Sequence, residues 1–321
     1  MGHTVTVDSA SFWRGPAEED LLLWMWPEGF FRHSLGGRLG HLTLKQRESF
    51  ESMLSQWKAK VPVMGVLHNF MPRCVLGNAG RHWIALYRHL VQHSDGVIHL
   101  GQFSLDNWTE RFGLEEQQPA AFRVSHGLFE QLLTFQHAEQ ILPLKRDGVP
   151  RIFIPGDLRT KAEVNMVLDA IAYHQGHVQW VLAGGETFNG RRKPTYWRLN
   201  KLSKSHEVFC YQRRLSDHEL VGEVLAADCV VVPRTRGLNS GIPFLAATFG
   251  KPVAMPRCGN QAEHAGEVGG TLFEPDKGGP GLSQGVVEAL AHGPVHKHGV
   301  PSWQVMGTAI DGFLTKICQT Y

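Results

Sequence analysis

Two stretches of this 321-residue chain combine residue types and spacing suited to holding an anion. In Ile154-Pro-Gly-Asp-Leu-Arg-Thr-Lys161, an apolar run ends in a glycine turn, and Arg159 and Lys161 follow. Gly156 lets the backbone turn tightly. Two fixed cations at the start of a helix suit a diphosphate, and the arginine can bind it bidentately. In Leu238-Asn-Ser-Gly241, a polar segment precedes an apolar run that ends at Gly250. A helix starting near Ser240 offers free backbone N–H groups and a positive dipole end, where an anion is physically expected. Asn239 and Ser240 either cap that helix or hydrogen-bond a ligand, and Gly241 permits close approach. Together the two stretches would clamp a nucleotide diphosphate from two sides.

The elements that must carry these stretches read as short apolar runs alternating with amphipathic segments. Leu21–Trp26, Val61–Leu67, Gly96–Leu100 and Ala121–Val124 are expected strands. Thr43-Leu-Lys-Gln46 is a capping-box pattern that opens a helix with Phe50, Met53, Leu54 and Trp57 on one face. Trp83, Leu86, Tyr87, Leu90 and Val91 mark the next helix. Leu142–Pro150 is rich in proline and charge and reads as a linker, which sets a boundary after residue 146. Beyond it the alternation restarts, with strands at Arg151–Ile154, Val178–Ala183, Val208–Tyr211, Cys229–Val232 and Pro252–Met255. Thr160–Glu163 and Ser216–Glu219 repeat the capping-box pattern. Trp303, Met306, Ile310, Phe313, Leu314 and Ile317 lie at helical spacing, which predicts a C-terminal helix over 302–321 that packs back on the N-terminal domain. The expected fold class is α/β, with two doubly wound Rossmann-like domains, 1–146 and 147–301, facing a central cleft. In such sheets ligands bind at the carboxyl ends of the strands.

The second half resembles the donor-binding domain of GT-B-fold glycosyltransferases, the family-4-like ones above all. FIPGDLRTK (153–161), VLAGGE (181–186), LSDHELVGEVLAADCVVVP (215–233) and LNSGIPFLAATFGKPVAMPRCGNQAEHAGEVGGTLFEPD (238–276) carry the likeness. The first half is similar to the acceptor domain of a bacterial polysaccharide-assembly subgroup, in DLLLWMWPEGF (20–30), VLHNFMPR (66–73), SDGVIHL (94–100) and VSHGLF (124–129). The resemblance spans about residues 20–300. It implies transfer of a sugar from a UDP- or GDP-linked donor to a glycan or lipid-linked acceptor in polysaccharide biosynthesis, without a metal or other cofactor. It also implies that Gly156, Arg159, Lys161 and Asn239–Gly241 serve the donor diphosphate. Glu263 falls where family members place an acid near the donor ribose or a nearby loop. The chain departs from the retaining relatives, which carry two glutamates eight positions apart. Gly237 and Leu245 stand there, which leans the expectation toward inversion.

Inverting transfer needs a base for the acceptor hydroxyl and positive charge for the leaving diphosphate. Glu28, His68 and His126 follow expected strands and are the candidate bases, Glu28 first. Trp26 and Asn69 are assigned to the acceptor. Phe30, Phe31, Arg32, Leu35, Arg38 and Leu39 form an apolar–basic stretch suited to peripheral membrane contact. The corresponding location is cytoplasmic, at the inner face of the cell membrane.

Composition narrows the alternatives. Lys plus Arg is 32 against 30 Asp plus Glu, a balance that argues against a nucleic-acid partner. Arg191-Arg192-Lys193 reads as a solvated loop. The five cysteines form no C-x-x-C pair, so neither a zinc site nor a disulfide framework is expected. His296 and His298 lie in a Gly/Pro-rich turn and read as solvated rather than metal-bound. The N-terminal segment lacks the cationic start and apolar core of a signal peptide, and no run approaches 18 apolar residues. No G-x-G-x-x-G follows a strand, which disfavours a nicotinamide enzyme. The competing function is a catalytically inactive GT-B-like protein that binds nucleotide or sugar, or scaffolds an assembly.

Overall fold

A computed structural model describes residues 4–31, 42–72, 79–114, 118–135, 145–184, 194–293 and 299–321. In chain order the elements are α1 (Ser9–Arg14), β1 (Leu22–Trp24), α2 (Leu44–Lys58), β2 (Val63–Leu67), α3 (Ala79–Gln92), β3 (Gly96–His99), α4 (Gln102–Phe112) and β4 (Ala120–Arg123). There follow β5 (Arg151–Pro155), α5 (Lys161–Tyr173), β6 (Gln179–Ala183), α6 (Pro194–Leu202), β7 (Glu207–Cys210), α7 (Asp217–Ala226) and β8 (Cys229–Val231). The chain ends with α8 (Ile242–Thr248), β9 (Val253–Pro256), α9 (Gln261–Val268), β10 (Thr271–Phe273), α10 (Gly278–His292) and α11 (Trp303–Thr320). Two compact units result: Met1–Val124 with Gly307–Tyr321, and Ser125–Met306.

The first unit holds a parallel sheet in the order β1-β2-β3-β4. Its core is aromatic. Phe12 stacks on Phe50 at 4.9 Å, and Phe31 meets Trp83 edge-on at 5.6 Å. The Trp57 indole N–H donates to the Phe12 carbonyl at 2.9 Å, which ties α1 to α2. Trp24 lies across its ladder partner Gly65 and donates to Ser94 Oγ at 2.9 Å. A Cβ on Gly65 would lie 2.0 Å from the Trp24 ring. Gly65→Ala is therefore expected to destabilise the protein by about 1–3 kcal/mol, the usual cost of overpacking. Thermal unfolding checks this, and an unchanged melting temperature would mean that the indole has room to move. The last part of α11 belongs to this unit, where Phe313 stacks on Phe122 at 4.9 Å and the Tyr321 hydroxyl donates to the Lys58 carbonyl.

The second unit holds a six-stranded parallel sheet in the order β10-β9-β8-β5-β6-β7. Its central strands are covered on both faces, so they read as continuous apolar runs. Ile152 and Ile154 face one buried layer with Met166, Ile171 and Val286. Phe153 between them faces the other, with Val181, Val221 and Phe244. At the amino end of β5, buried Arg151 pairs with buried Glu223 of α7 at 2.7 Å. The 3-10 turn Glu130–Phe135 packs in this unit through Leu132 and Phe135, ahead of the linker read at 142–150.

Several local expectations change. The strand expected at Leu21–Trp26 is only Leu22–Trp24, because Met25 and Trp26 turn to solvent ahead of Pro27. Both capping boxes at Thr43–Gln46 and Ser216–Glu219 form. At the third, Thr160 caps α5, but the Glu163 carboxylate accepts from the Arg159 N–H instead. The stretch beginning Phe30-Phe31 is not a membrane face at its start. Phe31 is wholly buried, and Phe30 packs on Phe12 at 4.4 Å. Arg32, Leu35, Arg38 and Leu39 lie outside the described residues, as do Arg191–Lys193, His296 and His298. Among the described residues no helix is long and apolar enough to cross a membrane.

Candidate functional site

The strand order of the second unit reverses between β5 and β8. The chain leaves β5 toward β6 and β7 on one side, and β8 toward β9 and β10 on the other. Loops at the carboxyl ends of these two strands diverge, and such a switch point is where parallel sheets bind ligands.

The loop after β5 starts at Gly156, whose φ of +80° suits glycine. Its N–H donates to the Ala183 carbonyl at 3.0 Å. Thr160 Oγ1 accepts from the Glu163 N–H at 3.1 Å and starts α5. Arg159 is half-buried immediately before this cap, and Lys161, the first residue of α5, is exposed. Cations at a helix N-terminus oppose the dipole, and an anion there reverses the sign of that interaction.

Beneath the loop lies a polar layer that sequence reasoning missed. Glu163, 2% exposed, accepts from the Arg159 N–H at 2.6 Å. Arg234, 4% exposed and just past β8, brings Nη1 within 3.5 Å of the same carboxylate. That nitrogen also donates to the Asp157 carbonyl at 3.2 Å. The segment after β8 is thus joined to the loop after β5 by a hydrogen bond at Asp157, and to the first turn of α5 by a buried ion pair. Only the apolar run VVVP before Arg234 hinted at its depth, because a charge so close to a buried strand must be paired.

The segment Asn239–Gly241 differs from expectation. Helix α8 starts at Ile242 and has seven residues, with Gly241 as its N-cap and no side-chain cap. Asn239 Oδ1 is engaged by Asn260 Nδ2 at 2.7 Å, and Ser240 Oγ accepts weakly from the Ile242 N–H at 3.3 Å. Buried Asn260 also donates its backbone N–H to the Leu238 carbonyl at 2.9 Å. Gly259 lets the two loops meet, since a Cβ there would lie 2.4 Å from the Gly237 carbonyl. Asn239 therefore fixes the loop after β8 to the loop after β9. Glu263 stands half-buried in the first turn of α9.

His126 is brought to the same end of the sheet. Its ring stacks on Phe244 at 4.7 Å and meets Trp303 at 5.3 Å. Nδ1–H donates to the Gly127 carbonyl at 2.7 Å, which leaves the Nε2 lone pair of the neutral ring beside Gly241. A Cβ on Gly241 would lie 3.6 Å from Nε2 and 3.1 Å from Phe129. Burial pulls the His126 pKa below its ordinary value.

In the first unit, Trp26, Glu28, His68 and Asn69 gather after β1 and β2, which are neighbours in the sheet. Trp26, 47% exposed, stacks on His68 at 4.7 Å. Glu28 Oε2 accepts from the Tyr87 hydroxyl at 3.0 Å. An exposed aromatic ring beside a carboxylate and an amide suits a polyol, whose C–H face stacks and whose hydroxyls hydrogen-bond. Among the described residues no group of three or more His, Cys, Asp and Glu side chains is arranged to hold a metal ion.

No protein-family model and no curated protein matches the chain. Solved structures do. Sucrose-phosphate synthase from Thermosynechococcus elongatus aligns with a TM-score of 0.63 at 14% identity, over 89% of this chain and 82% of its own. HepE from Anabaena, in complex with UDP-glucose, aligns at 0.56 and 14%, over 85% and 77%. UDP-GlcNAc 2-epimerase from Neisseria meningitidis, bound to UDP-GlcNAc, aligns at 0.58 and 12%, over 92% and 76%. The fold is that of GT-B proteins, each unit carrying a parallel Rossmann-like sheet. It hosts both synthases and an epimerase, so function rests on the site.

Proposed function

We propose that this chain is a glycosyltransferase that moves a hexosyl group from a nucleotide-sugar to a glycan or lipid-linked acceptor. The observation that carries the reading is the loop after β5, where Gly156, Arg159 and Lys161 open α5 at the sheet's switch point over a buried ion pair. The leaving nucleoside diphosphate gains negative charge as its bond to the anomeric carbon breaks. Arg159, Lys161 and the N–H groups at the start of α5 stabilise that charge, so no metal is needed for it. His126 and Gly241 border the sugar end of the donor, with Glu263 toward the ribose. In the first unit, Trp26 and Asn69 hold the acceptor, and Glu28 takes the proton from the attacking hydroxyl.

Inversion is favoured because Gly237 and Leu245 provide no carboxylate on the donor side. UDP is the first nucleotide to try, since two of the structures that the chain resembles hold UDP-sugars. A role in polysaccharide assembly at the inner face of the membrane would follow from a lipid-linked acceptor.

Thermal unfolding with UDP, GDP, ADP, CMP and dTDP tests the donor half. One nucleotide at ~100 times its dissociation constant is expected to stabilise the fold by about 2.7 kcal/mol, several degrees in Tm. If none of the five raises Tm, the inactive scaffold becomes the better reading.

A further inference from the structure

We infer that Arg234 is a positioning residue for the phosphate loop, acting from the segment just past the neighbouring strand β8 rather than from the loop itself. The inference rests on the reading of the loop after β5 as the place of the donor diphosphate. Arg234 Nη1 reaches two groups of that loop's framework, the Asp157 carbonyl at 3.2 Å and the Glu163 carboxylate at 3.5 Å. Glu163 Oε2 in turn holds the Arg159 N–H at 2.6 Å. Arg234 thus fixes the backbone on both sides of Leu158, directly at Asp157 and through Glu163 at Arg159.

The depth of the pair suits this role. Arg234 and Glu163 are both almost wholly buried, so neither is screened by solvent, and each compensates the other's charge. The guanidinium also lies under the glycine turn, with Nη2 3.9 Å from where a Cβ on Gly156 would be. A side chain on Gly156 would meet both this guanidinium and a left-handed φ. A loop held from below in this way presents its cations already oriented, and binding then costs less ordering. Lysine would keep the charge at 234 but not the rigid planar guanidinium, whose Nη1 meets both acceptors while Nη2 lies under Gly156.

The test has two independent readings, made on Arg234→Lys and on the double variant Arg234→Met with Glu163→Gln. The double variant removes both charges of this pair together, so it keeps the test open if the single variant unfolds. First, amide hydrogen exchange is followed without ligand over residues 156–160, with β5 as the internal reference. Exchange in the loop is expected to rise roughly tenfold or more in both variants while β5 stays protected, the scale of one lost hydrogen bond to a charged group. Unchanged loop exchange would overturn the inference. Second, UDP and GDP affinities are measured for wild type and variants, and about tenfold weakening is expected. Faster loop exchange with unaltered nucleotide affinity would overturn the link between anchoring and binding. If wild type binds neither nucleotide yet its variants loosen the loop, the reading of a UDP- or GDP-linked donor fails and the anchoring role of Arg234 stands.

Discussion

Arg159→Ala is expected to lower transfer at least ~100-fold, the scale for loss of one fixed donor to a developing charge, with little change in melting temperature. The backbone explains the second half of this expectation. Arg159 is held in place by its own N–H, which donates to Glu163 Oε2 at 2.6 Å, and alanine retains that bond. Gly156 still turns the chain, and Thr160 still caps α5. The substitution therefore removes a half-buried guanidinium and leaves the frame that carried it. Lys161 remains one residue into the helix, but an ammonium cannot replace a bidentate fork. Steady-state kinetics and nucleotide affinity together check the prediction. A fall of less than about threefold, far short of the loss of a charge-stabilising donor, would remove Arg159 from the mechanism.

How much of this site was legible in the sequence depended on whether the deciding contacts were local. The glycine turn and the two cations were legible because spacing alone sets them at a strand end. The central strands were legible because burial on both faces leaves continuous apolar runs, as in Val230–Val232. Arg234 was not, since its partner Glu163 is distant in the chain and its burial follows from neighbouring strands in the sheet. The start of α8 moved for a similar reason: the Asn239 amide is occupied by Asn260 from the loop after β9. Phe30 and Phe31 read as a surface beside basic residues, but α1 packs on both, Phe12 against half-buried Phe30 and Trp13 against buried Phe31. Helix α10 was hidden by its opening Gly-Gly-Pro-Gly, which resembles a turn. Those glycines instead allow close packing, since a Cβ on Gly279 would lie 2.4 Å from Asp169 of α5.

Glu28→Gln is expected to abolish transfer, by ~10²–10⁴-fold for loss of a general base, while nucleotide affinity stays at the wild-type value. Glutamine is the appropriate replacement because Glu28 Oε2 accepts from the Tyr87 hydroxyl at 3.0 Å, and an amide oxygen can accept the same bond. Tyr87 is 2% exposed, so alanine at position 28 would take an acceptor away from a buried side chain and confuse catalysis with stability. The nucleotide site proposed above belongs to the second unit and Glu28 to the first, which is why binding and transfer should separate. Transfer within threefold of wild type would take the base away from Glu28 and leave two imidazoles. They differ in a measurable way. Burial holds the His126 pKa below its ordinary value of 6.5, so its Nε2 stays unprotonated into more acidic solution than an ordinary imidazole does. With His126 as base, the acid limb of the pH–rate profile would therefore fall below that value, and His126→Gln would abolish transfer. With His68 as base, the same loss would follow from His68→Gln, and removing the Trp26 ring that stacks on it would lower the rate by disturbing its orientation.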